Sequence, residues 1–261
     1  MLGKLLRNDL KRNMKLLCIL FLSTIVVSAL TRGATELGKT IAFFKIVSIF
    51  FDSVFYSLLV NVIVHPFLRG FLNFNKSLYG DESYLTHTLP VTKNDIINSK
   101  FLTAIIEMVC AFLCVVASIL IKFASPSMIS TLKLLLSTII SGNVSVTLTI
   151  ILFVALVIIE FLMFISIIYF SIIVANKSKE KRVLKTFLIT ALMSFLALMV
   201  LSIILVVVLL IAGVNLSASK LILSKSAFFA VFITGIVCYM FIAILFYFLA
   251  KKEFNKGVNV D

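Results

Sequence analysis

An all-α membrane protein with six transmembrane helices is the fold class this sequence predicts, and three observations predict it. Of 261 residues, 62% are hydrophobic and 13% charged, whereas a soluble domain carries about 25% charge and 45–50% apolar residues. Six apolar runs, at approximately 15–31, 43–68, 101–123, 146–174, 186–213 and 227–250, come close to or exceed the roughly 20 helical residues that a bilayer requires. Pro66, Pro90 and Pro126 are the only prolines, each at or beyond the end of a run. The spans are therefore expected as unbroken helices. No internal repeat is evident, and residues 1–261 read as one transmembrane domain.

Taken in order, residues 1–15 (MLGKLLRNDLKRNMK) place Leu2, Leu5, Leu6, Leu10 and Met14 near one helical face and basic residues on others. That pattern suits an N-terminal interfacial helix lying against lipid headgroups, or a basic flank that sets topology. A basic start before an apolar run resembles a signal peptide, but no small-x-small cleavage site follows, so a retained first span is expected. This first run is short and should use its flanks to reach both interfaces. The fourth and fifth runs are long and should tilt or project.

The stretch 69–100, RGFLNFNKSLYGDESYLTHTLPVTKNDIINSK, is the only long polar interruption. A minimal link needs a few residues, and this one mixes exposed apolar side chains with both charge signs, as a docking surface does. Pro90 should force Leu89 into an extended conformation. Thr92 followed by Asp95 has the spacing of a capping box, opening a helix that carries Ile96, Ile97 and Phe101 into the third span. Residues 124–145 form the larger segment on the other side, with a surface helix expected in MISTLKLLLSTIIS. Residues 214–226 are a short connection.

The net charge of +13 is distributed in clusters between apolar runs, which points to membrane topology and anionic lipid, not to a nucleic-acid surface. Lys and Arg number five within 1–15, four within 69–100, five within 175–185 and three within 251–256. These seventeen face seven on the opposite side: Arg32, Lys39, Lys45, Lys122, Lys133, Lys220 and Lys225. The positive-inside rule then puts both termini and the 69–100 loop in the cytoplasm.

Residues 33–40, GATELGKT, match the phosphate-loop pattern letter for letter. The chemistry requires a buried strand before the loop and a helix after it. Here a lipid-spanning helix precedes Gly33, so a Gly-containing turn between spans is expected. Cys18, Cys110, Cys114 and Cys238 lie in apolar runs as packing residues. There is no zinc-like Cys/His spacing, no His-Glu-x-x-His and no Gly-x-Ser-x-Gly, so the enzyme reading is the weakest. No catalytic residue, metal site or cofactor is expected in this chain.

Asp52, Glu107 and Glu160 fall inside the runs, where an unpaired charge costs a few kcal/mol. Lys45 and Asp52, seven residues apart, share a helix face. Glu107 and Glu160 can be read as translocation-pathway contacts for a cationic molecule, or as hydrogen-bonded helix-packing residues. His65-Pro66 reads as a helix terminus. The 25 Phe residues suit either a lining for amphipathic cargo or a lipid-facing surface.

An interfacial N-terminal helix, six spans and YLTHTLPVTKNDIINSK between spans two and three together resemble bacterial ABC transporter permeases of the second exporter type. In that family a phrase similar to Y-L-T-x-T-L-P-V-[ST] precedes the helix into the third span, and the loop before it holds a cytoplasmic coupling helix. The resemblance covers the whole chain by architecture and Tyr84–Lys100 by sequence. It implies coupling to an ATPase through Leu78, Tyr79, Gly80, Asp81, Glu82, Ser83, Tyr84, Leu85 and Thr86. Tyr84 and Leu85 would be apolar anchors, and Asp81 and Glu82 polar contacts.

It further implies an ABC ATP-binding subunit holding ATP and magnesium, and a second permease chain in a homodimer or heterodimer. The location would be the bacterial cytoplasmic membrane, and the exported substrate hydrophobic or amphipathic, such as a peptide. Some relatives carry a large external element between spans five and six; residues 214–226 are short by comparison. The alternative is a gradient-driven secondary transporter that uses Glu107 and Glu160 as coupling acids.

Overall fold

A computed structural model of the chain describes residues 2–80, 82–88, 90–123, 126–141, 145–177, 181–214 and 223–256. Six helices in it are long and apolar enough to cross a membrane. They are α1 (Leu2–Leu37), α2 (Ala42–Tyr79), α4 (Lys93–Phe123), α6 (Val146–Ala175), α7 (Arg182–Ile211) and α8 (Lys225–Asn255), with the short α3 (Ser83–Thr88) and α5 (Pro126–Ile139) between them. Five of them contain one of the apolar runs whole, α7 ends two residues short of the 186–213 run, and α5 takes up the helix expected in the 124–145 segment. Internal packing divides the chain into two compact units, Met1–Ser125 and Pro126–Asn259, where the sequence marked no boundary.

In the N-terminal unit, α1 packs on both α2 and α4, and α2 also packs on α4. The buried stripe of α1 is Asp9, Asn13, Leu17, Thr24, Ser28, Thr31 and Ala34. The facing stripe of α4 includes Ser99, Thr103, Ala104, Glu107, Ala111 and Cys114. Lipid tails are as apolar as leucine, so helices in lipid associate by close approach and polar contacts, and small residues permit that approach. Most hydroxyls on these stripes are satisfied on their own helices, as Thr24 is by the Leu20 carbonyl at 2.7 Å and Thr103 by that of Ser99 at 2.8 Å. Val62, Ala111, Cys114 and Val115 form an apolar cluster among the three helices.

The C-terminal unit is built on α6, which packs against α8 along most of its length and against α7 to a lesser extent. Its core is Met163, Ile167, Ala197, Leu201 and Tyr239. Ser145 and Ser224 cap α6 and α8, accepting hydrogen bonds from the N–H groups of Leu148 and Ala227. Ile140–Ser141 pairs in parallel with Leu223–Ser224 over two residues. Gly235 lies where a Cβ would come within 3.1 Å of the Leu156 Cδ1 atom, so its lack of a side chain sets the α6–α8 approach.

Two expectations change. Residues 2–14 continue into the first span as one helix of 36 residues, where a separate interfacial helix was expected. Likewise α2 runs on through Pro66 to Tyr79, so the first third of the expected loop is helix. The reason is common to both: the polar residues of these extensions still recur at helical spacing and face neighbouring helices. Asp9 and Asn13 are buried, as are Phe74, Ser77 and Leu78.

Candidate functional site

The end of the N-terminal unit that carries α3 is built by a sharp exit from α2. Gly80 ends that helix, its N–H donating to the carbonyls of Asn75 at 3.0 Å and Lys76 at 3.2 Å. A Cβ there would lie 3.0 Å from the Lys76 Cα, so a larger residue would have to displace backbone. The chain turns at once, Ser83 N–H donating to the Gly80 carbonyl at 2.9 Å, and α3 begins. After Pro90, Thr92 accepts a hydrogen bond from the Asp95 N–H at 3.1 Å and opens α4, as the capping spacing predicts. Leu89 lies outside the described residues.

Of the residues assigned to coupling, Leu78 and Ser83 are buried and Tyr79 is half-buried, its phenol pushed up by burial. Tyr84 is 72% exposed. Asp81 lies outside the described residues, as do the side chains of Leu85 and Thr86.

Glu82 joins this turn to α1 and α2. Its carboxylate accepts from Arg12 at 2.9 Å and stands 3.4 Å from the Lys76 ammonium. Partial burial works against its charge, but the hydrogen bonds and charges of Arg12 and Lys76 prevail and hold it below the usual carboxylate range.

Arg12 also lies 3.9 Å from Asp9. Asp9 takes both its oxygens to the Lys100 ammonium of α4 at 2.9 Å, in a pair whose side chains are only 10% and 11% exposed. One turn further, Asn13 donates to Glu107 at 2.6 Å and accepts from Asn73 at 2.7 Å, while Arg69 donates to the Asn13 carbonyl at 3.2 Å. Three helices and the turn before α3 are thus tied by two neighbouring polar clusters whose inner members, Asp9, Asn13 and Glu107, are buried.

Glu107 is 0% exposed. Within its unit it is a packing residue bound by Asn13, with no solvent-facing surface to meet a passing molecule. Glu160, in the C-terminal unit, lies beside the Tyr239 hydroxyl of α8. Asp52 does not pair with Lys45: its partner is Lys122 of α4, at 2.5 Å. None of these pairings was visible in the sequence, because each joins residues from different helices. Helical spacing shows what shares a face and is silent about what that face meets.

The GATELGKT segment splits across a helix end. Gly33 to Leu37 belong to α1. The amides of Gly38, Lys39, Thr40 and Ile41 donate back to the carbonyls of Ala34, Glu36 and Leu37, so they are not turned toward a phosphate. Lys39 pairs with Glu36 at 2.6 Å. Gly38 is needed for another reason: a Cβ there would lie 3.1 Å from the Lys45 amide nitrogen of α2. All four cysteines are free thiols. Among the described residues, no group of three or more His, Cys, Asp or Glu side chains could hold a metal ion.

Compared with known protein families, curated proteins and solved structures, the chain finds no match in any of the three. Its own architecture is that of a multi-pass helical membrane protein.

Proposed function

We propose that the chain is the membrane-spanning subunit of an ATP-driven exporter of the second ABC type, receiving force at α3 from a separate ATP-binding subunit. The observation that carries this reading is the anchoring of α3. Glu82, immediately before it, is held by Arg12 of α1 and Lys76 of α2, and the same end of α1 is fastened to α4 through Asp9 and Lys100. A push on the exposed Tyr84 is thereby delivered to three spans at once. A loose connector would dissipate that push.

In this reading Leu78 to Thr86 form the coupling element, and ATP and magnesium reside in the partner, which does the catalysis. A second permease chain completes the assembly, in a homodimer or heterodimer. The cargo is a hydrophobic or amphipathic molecule, a peptide by preference. The exposed Lys4, Arg7, Lys11 and Lys15 on the first turns of α1 suit an anionic headgroup layer, with both termini on the cytoplasmic side of a bacterial membrane.

The test is coexpression with a candidate ABC ATPase. Wild-type chain should copurify with it and stimulate its ATPase activity. Tyr84→Asp combined with Leu85→Asp should abolish both while leaving the chain monodisperse in detergent. Unchanged assembly and transport would sink the assignment. Transport that collapses with a proton uncoupler while ATP is maintained would replace it with a gradient-driven transporter using Glu107 and Glu160.

A further inference from the structure

We propose that Asp52, Phe55, Tyr56 and Phe123 form a binding site for the ammonium group of an amphipathic ligand, occupied by the chain's own Lys122 when no ligand is present. The Lys122 ammonium lies 2.5 Å from the Asp52 carboxylate. It also stands 4.4 Å from the ring centre of Phe55, 4.3 Å from that of Tyr56 and 4.8 Å from that of Phe123. Three ring faces and one carboxylate around a single cation are the elements by which proteins recognise organic ammonium ions, since each ring face is negative.

The resident cation is not the best guest for such a cage. A lysine ammonium is compact and strongly hydrated, whereas aromatic cages favour alkylated ammonium groups, which give up water more easily. Lys122 can leave: it is the penultimate residue of α4, and a lysine near a helix end can snorkel to the interface. The Arg32 guanidinium donates to the adjacent Ile121 carbonyl at 3.0 Å, so the last turn of α4 has an anchor that does not depend on the cage.

Access also points to the ligand class. The Lys122 side chain is 6% exposed while that of Asp52 is 33% exposed. Phe55 closes the inner wall, and Tyr56 and Phe123 stand on the outer apolar surface. A guest therefore arrives along the lipid-facing flank, which selects a cation bearing an apolar tail.

The test uses the full chain in a neutral maltoside detergent, with dodecyltrimethylammonium below its micelle concentration as probe. Reductive methylation of lysines is read by mass spectrometry. The probe should raise labelling of Lys122 at least fivefold and leave Lys100 unchanged. Lys100 is similarly buried against a carboxylate but has no aromatic cage among the described residues, so it reports general loosening. Unchanged Lys122 labelling, or a parallel rise at both lysines, overturns the proposal.

Lys122→Ala should bind radiolabelled probe at least tenfold more tightly than wild type, and adding Asp52→Asn should abolish that gain. Equal binding by all three chains also overturns it. Repeating the labelling in phosphatidylcholine and phosphatidylglycerol nanodiscs identifies the source. Lys122 exposed in phosphatidylcholine alone means a lipid headgroup, exposure only with added probe means a free amphiphile, and exposure in neither overturns the site.

Discussion

The two units fasten their helices by different means. In the N-terminal unit the contacts that cross between helices are polar at both ends: the clusters of Asp9, Asn13, Glu82, Lys100 and Glu107 at one, and Lys122 with Asp52 at the other. In the C-terminal unit the α6–α8 seam is largely apolar, with the ring of Phe170 edge-on to Phe246 at 5.4 Å. Its polar ties are Glu160 with Tyr239 and, at the helix ends, Lys177 with Glu253. Apolar seams compete with lipid on nearly equal terms and tolerate sliding, whereas buried polar pairs fix register, because a slip leaves a charge alone. The register-fixed unit is the one that carries α3.

That contrast can be broken most forcefully at Lys100. Lys100→Met leaves Asp9 buried with Arg12, 3.9 Å away, as its remaining ion-pair partner among the described residues, and should destabilise the fold by about 3 kcal/mol, read by denaturant titration in mixed micelles. Asp9→Leu with Lys100→Met should recover most of that loss. A single variant no worse than the double would show that this pair does not hold α1 on α4.

The C-terminal unit should answer to shape instead. Gly235→Val puts carbon atoms against Leu156 and should cost about 1–3 kcal/mol by overpacking, with Gly235→Ala costing less because the Leu156 terminus can yield. If the valine variant melts with wild type, the seam is looser than the 3.1 Å approach implies.

The smallest effect belongs to Glu253. The hydrogen bond from Lys177, joined by Lys256, draws its carboxyl down to about 2. A depressed folded value means that its contribution is complete above about pH 4.5 and fades as pH falls from there through 2. Both lysines are exposed, so water screens the contact, and Glu253→Gln should shift stability by at most about 1 kcal/mol and should flatten the acid limb of a melting-temperature profile between those limits. An unchanged acid limb would assign the acid sensitivity to other carboxylates.

The spans themselves were legible because an apolar run of bilayer length has few other uses, and each of the six lies in a helix to within two residues. Their ends were not. Hydropathy marks where lipid stops, and Arg69, Asn73 and Lys76 sit past that point on an unbroken α2. The candidate site was half legible. Length and polarity singled out 69–100, and the Thr92–Asp95 spacing located the start of α4. The role of Glu82 as a tie to Arg12, seventy residues away, left no trace in either signal. Lys45 was the natural partner for Asp52 by spacing along one helix. Lys122 took that place because α2 and α4 run together in space, which spacing cannot report.

The length of α2 has a mechanical consequence. At 1.5 Å per residue its 38 residues make a rod of about 57 Å, against a hydrocarbon layer of about 30 Å. Much of the rod therefore stands clear of the lipid while remaining one piece. Pro66 withholds the backbone hydrogen bond that would stiffen its own position, and Tyr79 lies about 20 Å beyond it. A tilt of about ten degrees there sweeps the tip through about 3–4 Å, enough to carry one side chain past another.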